Sequence, residues 1–219
     1  MRLVADNVSV ARGGHVLFSG IHLTLEEGGA LLVTGPNGVG KSTLLRVMAG
    51  LLPDSRGSVR LEGADVERAA EAAHYLGHRN GMKAQLTVHE NLDFWQRFMA
   101  RTGGTASGIE DALQRVGLGG LGQLPFGYLS AGQKRRIAMA RLLIVQRPLW
   151  LLDEPTAALD DGAQAMFSGL VRDHLSSGGL VIAATHHGLG LANVSSLVLG
   201  ANGEAKLSST DPFATGVTG

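Results

Sequence analysis

The chain contains no cysteine. Disulfides, thiolate metal sites, iron–sulfur clusters and haem attached through a C-x-x-C-H motif are excluded in one step, and a redox role would need a borrowed cofactor. An excess of one charge is missing too: 19 Lys and Arg balance 19 Asp and Glu. Nothing electrostatic therefore favours DNA, RNA or an anionic membrane as the main ligand, and no nucleic-acid partner is expected. Hydrophobic residues make up 44% of the chain, yet no uninterrupted apolar run approaches the ~18–20 residues that span a bilayer. The first residues, Met1-Arg2-Leu3-Val4-Ala5-Asp6-Asn7, place an acid and an amide where a signal peptide needs an apolar core. This predicts no export signal and a cytoplasmic setting.

Glycine is what the chain has in excess. It supplies 32 of 219 residues, about twice the ~7% usual share and without a three-residue period, so turns and close backbone approaches are expected. This length suits one large domain or two lobes sharing a core. Between residues 3 and 34, short alternating apolar runs are broken by Gly13-Gly14, Gly20 and Gly28-Gly29, the period of half-buried strands. Ala30 to Thr34 then reads as a strand, Lys41 to Ala49 as a helix, Pro53-Asp54 as a turn and Val59 to Leu61 as a strand, with a first lobe ending near Leu76.

From about residue 79 the pattern turns helical. Leu92, Trp95, Phe98 and Met99 form one apolar stripe and Ile109, Leu113 and Val116 another, separated by Thr102-Gly103-Gly104-Thr105. An inserted helical lobe with that stripe packed as core is expected. A helix from Ala131 to Val145, a strand from Leu149 to Leu152, a helix from Gly162 to Leu175 and a strand from Leu180 to Thr185 follow. The polar tail after Gly200 predicts no element. Strands and helices alternating around short apolar runs argue for a parallel α/β core.

Gly35-Pro36-Asn37-Gly38-Val39-Gly40-Lys41-Ser42-Thr43 fits G-x-x-x-x-G-K-[ST] between a predicted strand and helix, the context that pattern requires. Its backbone N–H groups would curl around a nucleotide's β-phosphate. Lys41 would bridge β and γ oxygens, and Ser42 would ligate Mg²⁺. A decorative glycine turn has no need of lysine and hydroxyl at those offsets. Leu149 to Glu154 is an apolar strand ending in two acids: Asp153 suits the magnesium shell, and Glu154 suits a general base beside the γ-phosphate. The acids could instead cap the next helix, although Pro155-Thr156 already offers that chemistry.

Between these motifs, Leu129-Ser130-Ala131-Gly132-Gln133 resembles the signature of the ATP-binding-cassette (ABC) ATPases. The resemblance covers almost the whole chain, through Ala158-Leu159-Asp160, similar to the dimer-contacting D-loop, and Thr185-His186, similar to the switch histidine. It implies a P-loop NTPase of the ABC type: a mixed sheet with a RecA-like lobe and an inserted helical subdomain. One ATPase domain would span residues 1–219, with a catalytic lobe of about 1–78 and 146–205 and a helical signature lobe of about 79–145. Ser130, Gly132 and Gln133 would cradle a second nucleotide at a helix N-terminus. With one phosphate loop and one signature per chain, that implies a head-to-tail homodimer or an equivalent partner.

Two positions depart from the family pattern. Arg12 stands where an aromatic would stack on adenine; a guanidinium can stack on a base, and a solvated Arg12 fits equally. His78, in Tyr75-Leu76-Gly77-His78, replaces a glutamine that touches Mg²⁺ and water. It can still exchange one hydrogen bond in that role. His74 and His78 have the spacing of a helical metal pair, but Gly77 and the flanking residues favour strand and loop, which separate the imidazoles. His187 reads as a neighbour of His186 rather than a second catalyst. Lys134, Arg135, Arg136 and Arg141 read as a solvated helix face with some role near phosphate.

Within the family, Leu17-Phe18-Ser19-Gly20, Leu76-Gly77-His78, Leu86 to Leu92 and Leu129 to Leu142 resemble the ATP-binding subunits of the cytochrome c maturation (Ccm) haem exporters of Gram-negative bacteria. The resemblance implies integral membrane Ccm-type partners docking near residues 79–99, a peripheral position at the cytoplasmic face of the inner membrane, and no direct haem contact. An ATPase exporting another small molecule, lipid or peptide stays open. So does an ATP-gated soluble clamp or scaffold.

Overall fold

The computed structural model describes residues 1–208 except 14, 53–54, 65–67, 101–105, 187, 192–193 and 202. The predicted Pro53-Asp54 turn, the Thr102 to Thr105 loop and His187 lie outside the described residues. β1 (Arg2–Arg12) and β2 (His15–Glu26) pair antiparallel, with Leu3, Ala5, Val8 and Val10 facing inward beside Ile21, Leu23 and Leu25. β3 (Ala30–Thr34) leads into α1 (Lys41–Met48), and β4 (Ser55–Glu62) completes a three-stranded antiparallel sheet in the order β2-β1-β4.

β5 (Ala73–Leu76) precedes three helices, α2 (Val88–Ala100), α3 (Ile109–Arg115) and α4 (Ala131–Ile144). Then come β6 (Leu149–Asp153), α5 (Asp161–Ser176), β7 (Leu180–Ala184), β8 (Ser195–Leu199) and β9 (Ala205–Ser208). The second sheet has six strands in the order β5-β6-β7-β3-β8-β9, parallel except for the antiparallel edge strand β9. β6 and β7 are buried along their whole length, which is why they read as continuous apolar runs. Their residues alternate between two cores. Leu149, Leu151, Leu180 and Ile182 join α1 and the antiparallel sheet, while Trp150, Leu152, Val181 and Ala183 join α4, α5 and the helices α2 and α3.

Three expectations change. The tail after Gly200, expected to carry no element, contains β9, which covers the edge of β8 and fits the usual management of an open sheet edge. Helix begins at Val88 rather than near 79 because the Asn91 side chain organises the preceding loop. Its amide accepts from Lys83 N at 2.8 Å and donates to the carbonyls of Lys83, Leu86 and Thr87. The aromatic stripe splits: Leu92 and Met99, seven residues apart, are buried, while Phe98 is 59% exposed. Phe98 instead stacks with Phe94 on the outer face, because six residues of helix rotate it off the buried line.

Two buried imidazoles make stability depend on pH. Burial pushes His74, bonded to the Val145 carbonyl, down to about 3, and His174, stacked at 4.0 Å on Trp150, down to about 4. Both are neutral when folded and take up a proton when unfolded below about pH 6.5. Stability is therefore complete above that value and declines as pH falls towards the folded values, by about 2 kcal/mol per histidine at pH 5. Urea melts at pH 7.5 and 5 should show this decline, and His174→Phe should remove about 2 kcal/mol of the difference. An equal difference in variant and wild type would mean that His174 protonates freely in the fold.

Candidate functional site

Ala184 pairs with Val33 on one side and Asp153 on the other, so the chain leaves β3, β6 and β7 at one level. The loop after β3, the acidic pair and His186 thus share one rim, the usual ligand edge of a parallel sheet. In the loop, Gly35 has φ 136, and a Cβ there would run into the Leu199 carbonyl; Gly40, at φ 109, is the N-cap of α1. No side chain caps α1, which leaves its first N–H groups and the positive end of its dipole for an anion.

The Lys41 ammonium folds back over the loop, donating to Gly35 O at 2.8 Å and Pro36 O at 3.0 Å. Lys41 is buried, and an anion within its reach would offset the cost of desolvating the cation against uncharged carbonyls. Ser42 Oγ donates to Asp153 Oδ1 at 2.8 Å. The other carboxylate oxygen accepts from Tyr75 Oη at 3.3 Å, and Arg46 Nε donates to that phenol at 3.3 Å. Burial is the main reason the Tyr75 hydroxyl is held above its ordinary pKa, so it stays a donor.

Glu154 follows in a left-handed backbone conformation, φ 45, with its N–H on Ala184 O at 2.8 Å. Its Oε1 lies 3.6 Å from His186 Nε2, which is 2.9 Å from Asn37 Oδ1 and 3.4 Å from Lys41 Nζ. Protonated at Nε2 the ring donates to Asn37; deprotonated there, it accepts from Lys41. Asn37, Gly38, Gly40, Lys41, Ser42 and Thr43 line one side of a cavity of about 240 Å³, and Asp153, Glu154 and His186 line the other. Among the described residues no three acidic or histidine side chains cluster as metal ligands. A divalent cation here would have two oxygens from Ser42 and Asp153 and the rest from phosphate and water, which is how Mg²⁺ is usually held. A larger concavity of about 530 Å³ lies elsewhere, beside Arg115, Trp150, Asp173 and His174. Those groups are already engaged, in the Arg115–Asp173 ion pair and the Trp150–His174 stack.

Other candidate residues stand outside the cavity lining. Arg12 is exposed at the end of β1, and His78 is exposed just beyond β5. Ser130 caps α4 in a reciprocal box with Gln133, at 3.2 and 2.9 Å. Gly132 faces the carbonyl of Ala158, a residue at φ 64, and Asp160 caps α5 through Ala163 N at 2.7 Å. The solvated basic face is corrected: Arg135 and Arg141 are buried. Arg141 covers the Trp95 ring at 3.8 Å, and burial lowers its pKa to about 10. The signal was present, since Arg135 shares its helix face with Met139 and Leu142, four and seven residues on, both apolar. Tyr75 and Arg46 carried no such signal, because only the fold brings β5, α1 and Asp153 together.

Lys41→Ala should weaken ATP binding about 10- to 100-fold in a calorimetric titration, the range for losing a charge-assisted contact. Unchanged affinity would remove this loop from nucleotide binding.

Comparison with known proteins agrees with this geometry. Residues 18–157 match the ABC transporter family. The cytochrome c biogenesis ATP-binding export protein CcmA of Mesorhizobium japonicum is 56% identical over 193 residues, covering 87% of this chain and 94% of that one. Its namesake in Rhizobium meliloti is 56% identical over 200 residues, covering 90% and 97%. A solved ATP-binding subunit of an ABC transporter superposes with a TM-score of 0.79 over 95% of this chain and 90% of that one; at 19% identity it speaks for the fold alone. No described helix is long and apolar enough to cross a membrane. A family match over more than half the sequence, joined to relatives of this identity, shows that the chain belongs to the ABC transporter family as an ATP-binding ATPase subunit akin to the CcmA proteins.

Proposed function

We propose that this chain hydrolyses ATP to drive an export step in cytochrome c biogenesis, powering haem delivery or release through membrane partner subunits. The observation that carries the ATPase half is the convergence of Lys41, Ser42, Asp153, Glu154 and His186 on one cavity. The cytochrome c half rests on its relatives, which are cytochrome c biogenesis export proteins. Gly35 to Thr43 wraps the phosphates, Lys41 meets the β and γ oxygens, and Ser42 and Asp153 hold Mg²⁺. When bound, Mg²⁺ neutralises charge developing on the transferred phosphoryl group. Glu154 accepts a proton from the attacking water, and His186 keeps that water and the γ-phosphate in line.

The signature supports a second copy. Ser130 and the N-terminus of α4 lie outside this cavity with the cap exposed, a cradle suited to the nucleotide of a head-to-tail partner chain. Closing that sandwich on ATP and reopening it after hydrolysis is the mechanical output. We assign residues 1–219 to one ATPase domain, with a catalytic lobe of about 1–78 and 146–205 and a helical lobe of about 79–145. His78 opens the loop towards the membrane partners, Arg12 flanks the base, and the complex sits at the cytoplasmic face of the bacterial inner membrane without haem touching this chain.

Glu154→Gln should keep ATP binding and lower turnover about 10²- to 10⁴-fold; turnover within a few-fold of wild type would end its role as base. Deleting the gene in its source organism and restoring wild type or Glu154→Gln tests the cargo through covalent haem c in membranes. Loss rescued only by wild type is expected. Normal haem c after deletion would leave an ATPase with a different cargo.

A further inference from the structure

We infer that Arg135 is a positioning residue that ties the signature helix to Glu154 and to the loop opening at His78. The inference rests on Glu154 being the general base. Arg135 follows the Ser130–Gln133 capping box on α4 and is only 5% exposed. Its guanidinium makes four hydrogen bonds, all to backbone carbonyls. Nη2 donates to Glu154 O at 2.7 Å and Asp153 O at 3.2 Å, Nε to Pro155 O at 3.0 Å, and Nη1 to Gly77 O at 2.8 Å. Three of these acceptors form the end of the acidic strand and the turn after it; the fourth precedes His78.

Packing alone does not explain an arginine here. Met139 and Leu142 fill the same helix face without charge, and burying a guanidinium carries a desolvation cost that an apolar residue avoids. What a planar fork adds is a set of donors at fixed angles. The backbone that it grips needs fixing: Glu154 sits at φ 45, a conformation strained for a residue with a Cβ, which persists only where its surroundings over-determine it. On one side Glu154 N–H is held by Ala184 O; on the other, its carbonyl is held by Arg135. Without that donor the carbonyl keeps only the longer bond from Ala157 N at 3.3 Å, the peptide relaxes, and the carboxylate leaves its place 3.6 Å from His186. The cradle at the head of α4 and the base gripped by its second turn then move together. A phosphate docking on the signature thereby sets the geometry of hydrolysis in the same chain.

The test uses the full chain with Arg135→Lys, which keeps the charge but cannot serve four carbonyls, and Arg135→Met, which keeps length and burial without donors. ATP affinity, kcat, thermal midpoint and the double variant Arg135→Lys/Glu154→Gln are measured. We expect kcat to fall about 10- to 100-fold, the scale for a misplaced catalytic group, with ATP affinity within 3-fold. We also expect the double variant to be no slower than Glu154→Gln alone. If Arg135→Met fails to fold, Arg135→Lys decides alone. A kcat for Arg135→Lys within 2-fold of wild type, or a loss that multiplies with that of Glu154→Gln, would make Arg135 a packing strut only. Near-normal turnover of Glu154→Gln would instead overturn the base, whatever Arg135 does.

Discussion

Ala184 on β7 pairs with Val33 of β3 on one side and Asp153 of β6 on the other, and the nucleotide site depends on that shared level. A slip of one residue in either pairing would turn alternate side chains to the wrong core. It would also part Ser42 Oγ from Asp153 Oδ1, now 2.8 Å apart. The register is fixed because both faces of these strands are buried, each against its own core. The chemistry at the rim is thus positioned by apolar packing well below it.

Charge is used sparingly in the interior, and among the described residues the buried cations Lys41, Arg135 and Arg141 each meet oxygen. Lys41 takes two loop carbonyls, Arg135 takes four around the acidic turn, and Arg141 takes Asn80 O at 3.0 Å while lying over Trp95. Only Lys41 opens onto the cavity. That distribution separates a ligand-facing cation from two that brace backbone, and it explains how a chain with no net charge can present a local anion site.

The phosphate loop, the acidic strand and the signature were legible because each is a contiguous run whose residue types state their chemistry. β6 and β7 were legible for a related reason, since strands buried on both faces announce themselves as unbroken apolar runs. What stayed hidden depends on contacts between distant segments. Tyr75 reaches Asp153 across 78 positions; the burial of Arg135, by contrast, was signalled locally by Met139 and Leu142 on its own helix face, beneath a run of basic residues. Phe98 shows the converse error, an apolar residue assigned to the core although the helix turns it outward. β9 went unseen because an exposed edge strand has no continuous apolar pattern to show.

The central claim is that Ser42 and Asp153 make one metal-and-phosphate centre. ATP binding to wild type and Asp153→Asn, each titrated with and without Mg²⁺, tests it most directly. The account predicts that Mg²⁺ tightens ATP binding to wild type, and that Asp153→Asn loses this gain while keeping wild-type affinity for metal-free ATP. An Asp153→Asn variant whose ATP affinity still rises with Mg²⁺ as in wild type would contradict it.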